Sequence, residues 1–185
     1  MDSKTQTTAT PVEYIEAVLV VKGWLRKYRE CILDIDVQDE RIKRITNRLE
    51  SASSPKLTEM PKSPSQSTDR ITDMIAQRDR LLEASKDQRI FARKTQDRLD
   101  KLLNVCTPRE RNIIQLHDMD GMEFGDIIPI VLAKEIKEGM KYVQCQSYVY
   151  RYRRRGILKL AKTLKDSDGT VYPTIQEIQE ILESV

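Results

Sequence analysis

CQSYVYRYRRRGILKLAKTL, residues 145–164, reads most simply as one amphipathic helix. Val149, Tyr152, Gly156, Ile157 and Leu160 recur at helical spacings and form a single apolar stripe, the pattern of a helix that packs along one side. Arg151, Arg154, Arg155, Lys159 and Lys162 fall on the flanks and the far side. Between Met140 and Lys165 there are eight Lys or Arg and no Asp or Glu, and no other window of this length is so one-sided. An apolar face opposite unbroken positive charge suits a polyanion.

The charge is local. The whole chain of 185 residues carries only +3, residues 140–165 carry +8, and residues 166–185 carry −5, which leaves residues 1–139 neutral. A local patch speaks for a docking surface more than for solubility. Six Gly and two Phe, with Leu, Ile, Arg, Lys, Glu and Gln abundant, favour helix over sheet. The expected fold class is all-α.

Working toward the N-terminus, residues 1–10 are polar and Thr-rich and read as a frayed end. Thr10 can cap a helix begun by Pro11. From Leu25 the apolar residues Tyr28, Ile32, Ile35, Ile42, Ile45 and Leu49 follow a heptad-like seam with Asp39 in its gap. One long helix over about 12–50 is the simplest account, with Gly23 as a weak point. Residues 51–68 hold six Ser, two Thr and three Pro and read as a linker. A second long helix capped by Thr68 or Asp69 follows, with Ile71, Met74, Ile75, Leu81, Leu82, Ile90, Phe91, Leu99, Leu102 and Leu103 as its apolar face. Residues 11–104 thus predict an antiparallel helical hairpin. It reads either as a homo-oligomerising or partner-holding surface, or as two helices packed only on each other.

Residues 105–165 form the next segment. Thr107-Pro108-Arg109-Glu110 is a capping box. It opens a helix with Ile113, Ile114 and Leu116 on its apolar face, ended by a turn at Asp118–Gly121. A second short helix starts in Met122–Ile128, and the basic helix follows after Tyr142. Residues 166–185 add a turn at Asp168-Gly169 and a capping box at Thr174/Glu177. The short acidic helix it starts reads as packing back on the basic segment, or as a contact for a polymerase or another subunit.

A recognition helix enters the major groove with its N-terminal residues at base edges. Gln144, Gln146, Ser147, Tyr150 and Arg151 occupy that end. Gln pairs with adenine and Arg with guanine through two hydrogen bonds each. Arg153, Arg154, Arg155, Lys159 and Lys162 are placed for phosphates. Tyr148, Tyr150 and Tyr152 alternate with Gln and Arg and can stack on bases, although Tyr152 reads better as core.

LDKLLNVCTPRERNIIQLHDMDGMEFGDII (99–128) followed by QSYVYRYRRRGILKL (146–160) resembles the helix-turn-helix of sigma-factor region 4. It is most similar to the small phage late-gene regulators of the ArpU and RinA type that carry that module. Leu102, Leu103, Pro108, Glu110, Arg111, Gly121, Phe124, Asp126 and Ile127 fit the first part of the family pattern. Val149, Arg151, Arg155, Gly156, Ile157 and Leu160 fit the recognition helix, and the likeness covers 69–164. The resemblance implies a sequence-specific regulator, an activator by preference, of phage late or packaging genes, acting with host RNA polymerase on double-stranded DNA in the host cytoplasm. One stretch departs from the family: PIVLAKEIKEGMKYVQ, 129–144, is longer than the family's compact turn. It reads either as an extension of the second short helix or as a small extra element. A small-terminase-like packaging factor and a helical protein that blocks a host partner are the alternatives.

Catalysis has little to build on. There is no GxSxG, glycine-rich phosphate loop or metal-spaced carboxylate cluster, so no enzyme, cofactor or metal is expected. His117, the only histidine, reads as a capping or packing residue, and Trp24 as a packing anchor. Cys31, Cys106 and Cys145 stand far apart and read as buried thiols. No apolar run approaches a membrane span, and no signal peptide is visible.

Overall fold

The structure, a computed structural model of the chain, describes residues 11–53 and 65–183. These are helical apart from short connections, with no strand among them. The helices are α1 (Pro11–Ser53), α2 (Ser65–Leu103), α3 (Pro108–Ile114), α4 (Phe124–Val131), α5 (Ala133–Lys137), α6 (Tyr142–Lys165) and α7 (Ile175–Glu183). A π-helical turn, Gln115–Met119, prolongs α3. The expected frayed end at 1–10 and the centre of the expected linker, 54–64, lie outside the described residues.

Both long helices run further into the Ser-rich stretch than its composition predicts. Ser51 donates its hydroxyl to the Asn47 carbonyl four residues back, so it bonds along the helix instead of breaking it. α2 opens at Ser65, ahead of the expected cap at Thr68 or Asp69. The chain divides into two units, Met1–Arg29 with Thr95–Val185, and Glu30–Lys94.

Within Glu30–Lys94, α1 and α2 meet through Cys31, Ile35 and Ala92, with Ile32 and Phe91 against them. The gap in the α1 seam is filled by polar groups: Gln38 donates to Gln88 at 2.9 Å, and Asp39 pairs with Arg89. The α2 seam differs from the expected apolar face. Ile75, Leu82 and Ile90 are exposed, while Ser85 is buried and Arg78 and Gln88 are half-buried. A heptad seam that includes polar residues cannot be traced from hydrophobicity alone.

In the other unit, Ala17, Val21, Trp24 and Leu25 of α1 and Leu99, Leu102 and Leu103 of α2 are buried. Ile113, Ile127, Ile128, Leu132, Cys145 and Val149 form a core among α3, α4 and α6. The capping box forms: Thr107 N–H donates to Glu110 Oε2 at 2.9 Å, and Glu110 N–H reaches Thr107 Oγ1 at 3.5 Å. Past the π-helical turn, Asp120 N–H donates to Gln115 O at 2.8 Å and Gly121 takes φ of 76°. That left-handed conformation suits glycine, and a Cβ there would also meet the Arg29 guanidinium.

The longer stretch after Ile128 forms a small extra element. α4 passes through Pro129 and stops at Leu132, whose side chain is buried in the core. α5 follows and is tied to α3 by Arg109 on Glu135 at 2.5 Å. The C-terminal capping box also forms, with Thr174 N–H on Glu177 Oε2 at 2.8 Å. α7 meets α1: Gln179 Nε2 donates to Glu16 Oε1 at 3.3 Å, and Leu182 lies at ordinary contact distance from where a Cβ on Gly23 would be.

Candidate nucleic-acid interface

α6 is held from behind. Cys145, Val149, Gly156, Ile157, Leu160, Ala161 and Leu164 are its buried residues, and it packs on α3 and α4. Gly156 sits at the closest approach to α3. A Cβ there would stand 2.6 Å from Ile114 Cδ1 and 3.3 Å from Glu110 Cβ, so the crossing depends on the absent side chain.

Two cations expected to face phosphates are turned inward. Arg153 lies on Asp118, with Nε to Oδ2 at 2.8 Å and Nη2 to Oδ1 at 2.5 Å. Lys159 Nζ donates to Glu110 Oε2 at 2.6 Å. Their carboxylates are close to buried, at 10% exposure for Asp118 and 4% for Glu110. The hydrogen bonds it donates to Asp118 hold the Arg153 guanidinium more firmly protonated than usual. Burial pushes the Glu110 carboxyl up, but hydrogen bonds from Lys159 and Thr107 outweigh that and hold it below its ordinary range. These pairs clamp α6 to the segment behind it. Arg153 and Lys159, both expected at phosphates, are thus matched by carboxylates of this chain, although the Lys159 side chain stays 42% exposed.

Tyr150, 50% exposed, also packs on a neighbouring ring. Its ring lies 4.3 Å from that of Phe124, which stacks at 4.1 Å on His117. His117 Nδ1 donates to the Met122 carbonyl at 2.9 Å. The histidine is thus a packing residue that ties the turn after α3 to α6. Tyr152 packs against the core, as expected, and all three cysteines are buried. Burial and the nearby Glu110 carboxylate push the Cys106 thiol up to about 11, which makes it unreactive.

Six of the ten expected contact residues share one solvent-facing ridge: Gln144, Ser147, Arg151, Arg154, Arg155 and Lys162, all exposed. At about 100° per residue, each lies within about 60° of the ridge centre, and the ridge is about 27 Å long. Gln146, although exposed, and Arg153 point more than about 130° away; Tyr150 and Lys159 lie on the flanks, about 80–100° off. Among the described residues, Arg151, Arg154, Arg155 and Lys162 have no ion-pair partner. Gln144 accepts the Lys141 N–H at 3.2 Å and Ser147 donates to the Val143 carbonyl at 3.1 Å, which orients both side chains. Tyr148 borders this ridge, about 70° from its centre, with the Arg151 guanidinium 5.5 Å from its ring centroid. Its place in the alternating tyrosines was the only signal for it.

Among the described residues no helix is long and apolar enough to cross a membrane, and no cluster of His, Cys, Asp and Glu is arranged to hold a metal. Compared with known protein families, curated proteins and solved structures, the chain matches none of them.

Proposed function

We propose that this chain is a sequence-specific duplex-DNA-binding regulator of transcription. In this reading α3, the turn after it and α4 support α6 as the recognition helix of a helix-turn-helix, and α1 with α2 forms an antiparallel hairpin that joins copies of the chain. The observation that carries it is the ridge of four exposed, unpaired cations running on from Gln144 and Ser147 along a helix with no acidic residue. A ridge of about 27 Å fits within one duplex turn of about 34 Å. Gln144, Ser147 and Arg151 lead into the groove, while Arg154, Arg155 and Lys162 meet phosphates. The resemblance to the phage late-gene regulators adds the biological setting: activation of late or packaging genes with host RNA polymerase.

Selection of bound fragments from the surrounding genome tests specificity. A salt titration tests the contact set, because three neutralised phosphates give a slope of log K against log salt of about −2.7. Arg151→Ala should relax sequence preference, whereas Lys162→Ala should weaken all duplexes alike. A chain that leaves duplexes unbound in dilute buffer ends the proposal.

A further inference from the structure

Beside the ridge, the first turns of α1 and the middle of α6 enclose a groove of about 880 Å³. Its floor is aliphatic: Ile15, Val18 and Leu19 from α1, with Ile157 and Leu158 from α6. Ile15 and Leu19 are 59% and 63% exposed, so this wall stands open. The rim is cationic: Lys22, Arg151 and Arg154 line it and have no ion-pair partner among the described residues. Arg153 also borders the groove, but its charge is met by Asp118.

We infer that this groove is a docking site for an acidic amphipathic helix of a partner protein. Aliphatic side chains contributed by two helices to one groove form a slot for the apolar stripe of a third helix. Three unmatched cations around that slot select carboxylates on the flanks of the incoming helix and disfavour a basic one. Neither feature alone names an occupant; together they require one whose stripe is apolar and whose borders are acidic. Arg151 and Arg154 belong to both groove and ridge, so a seated helix takes up two of the four cations offered to DNA. That exclusion rests on the DNA reading, whereas the docking itself does not.

The probe is a fluorescent synthetic peptide of about five helical turns, with Leu at i, i+3/i+4 and i+7 and Glu flanking the stripe. Two companions serve as controls, one with Lys for every Glu and one with the same residues shuffled to destroy the stripe. Fluorescence polarisation with the full chain should show saturable binding of the acidic stripe alone. Leu19→Asp and, separately, Arg154→Glu should each weaken it at least about tenfold, the equivalent of about 1.4 kcal/mol. Ile15→Asp is the second variant should Leu19→Asp melt early. Equal binding of the shuffled or basic peptide overturns the proposal, as does unchanged affinity in both aspartate variants. So does a failure of the peptide to bind when sedimentation shows self-association that Leu19→Asp abolishes, since the occupant is then a second copy. In a competition arm the acidic peptide should displace a bound duplex, and joint occupancy overturns the shared use of Arg151 and Arg154. If no duplex binds at all, the regulator reading fails while the peptide affinity still decides the groove.

Discussion

Replacing Arg153 by Met tests whether this cation is a clamp or a phosphate contact. Met keeps much of the aliphatic stem and removes the charge. Asp118, 10% exposed, then loses the guanidinium that meets it through Nε and Nη2. Removing one partner of a fully buried pair costs about 3–5 kcal/mol. Arg153 is itself 25% exposed, so screening brings the expected loss to about 2 kcal/mol. For a chain of 185 residues that lowers the melting temperature by about 4–8 °C. Arg154→Met, on the exposed ridge, should change stability by less than about 0.5 kcal/mol. The salt dependence should behave oppositely: Arg154→Met makes the slope shallower by about 0.9, and Arg153→Met leaves it unchanged. Thermal melts and salt titrations on the two variants measure both quantities. Asp118→Asn combined with Arg153→Met should recover part of the loss, since no buried charge is then stranded. If Arg153→Met flattens the salt slope as Arg154→Met does and melts like the unchanged chain, the inward clamp is refuted.

Glycine at two positions should respond in opposite directions to the same substitution. Gly156→Ala places a methyl 2.6 Å from Ile114 Cδ1 and 3.3 Å from Glu110 Cβ; overpacking of about 1–3 kcal/mol should exceed the gain in helix propensity of about 0.5–1 kcal/mol and destabilise the chain in urea unfolding. Gly23→Ala meets only Leu182 at 3.5 Å, so the propensity gain should remain and raise stability by about 0.5–1 kcal/mol. Because the folded Glu110 carboxyl titrates below its unfolded value of about 4.3, its contribution is fully present above that pH and lost as pH falls through the folded value. The stability gap between the unchanged chain and Glu110→Gln should therefore hold at neutral pH and close in acid, as followed by melts over pH 3–7. Thr107→Ala should cost about 0.5 kcal/mol, the low end for a cap, because its oxygen stands a full 3.5 Å from Glu110 N–H.

Much of the helical framework was legible in one dimension. The stripe Val149, Gly156, Ile157 and Leu160, the boxes Thr107/Glu110 and Thr174/Glu177, and the turn at Gly121 are all where sequence spacing predicts them. These features depend on neighbours within a turn or two, and such interactions can be read from local order. The fate of 129–144 was not legible, because Leu132 ends α4 by dropping into a core made by residues distant in sequence.

The amino-acid order by itself determined that residues 142–165 form a helix with one buried face and a dense positive charge, since periodicity and composition are local properties. Which of those charges reach solvent was decided only by tertiary structure. Asp118 and Glu110 lie 35 and 49 residues from the cations they hold, and α3 with the π-helical turn after it brings them against the back of α6. An ion pair needs two groups within a few ångströms, and folding alone supplies that proximity across such separations.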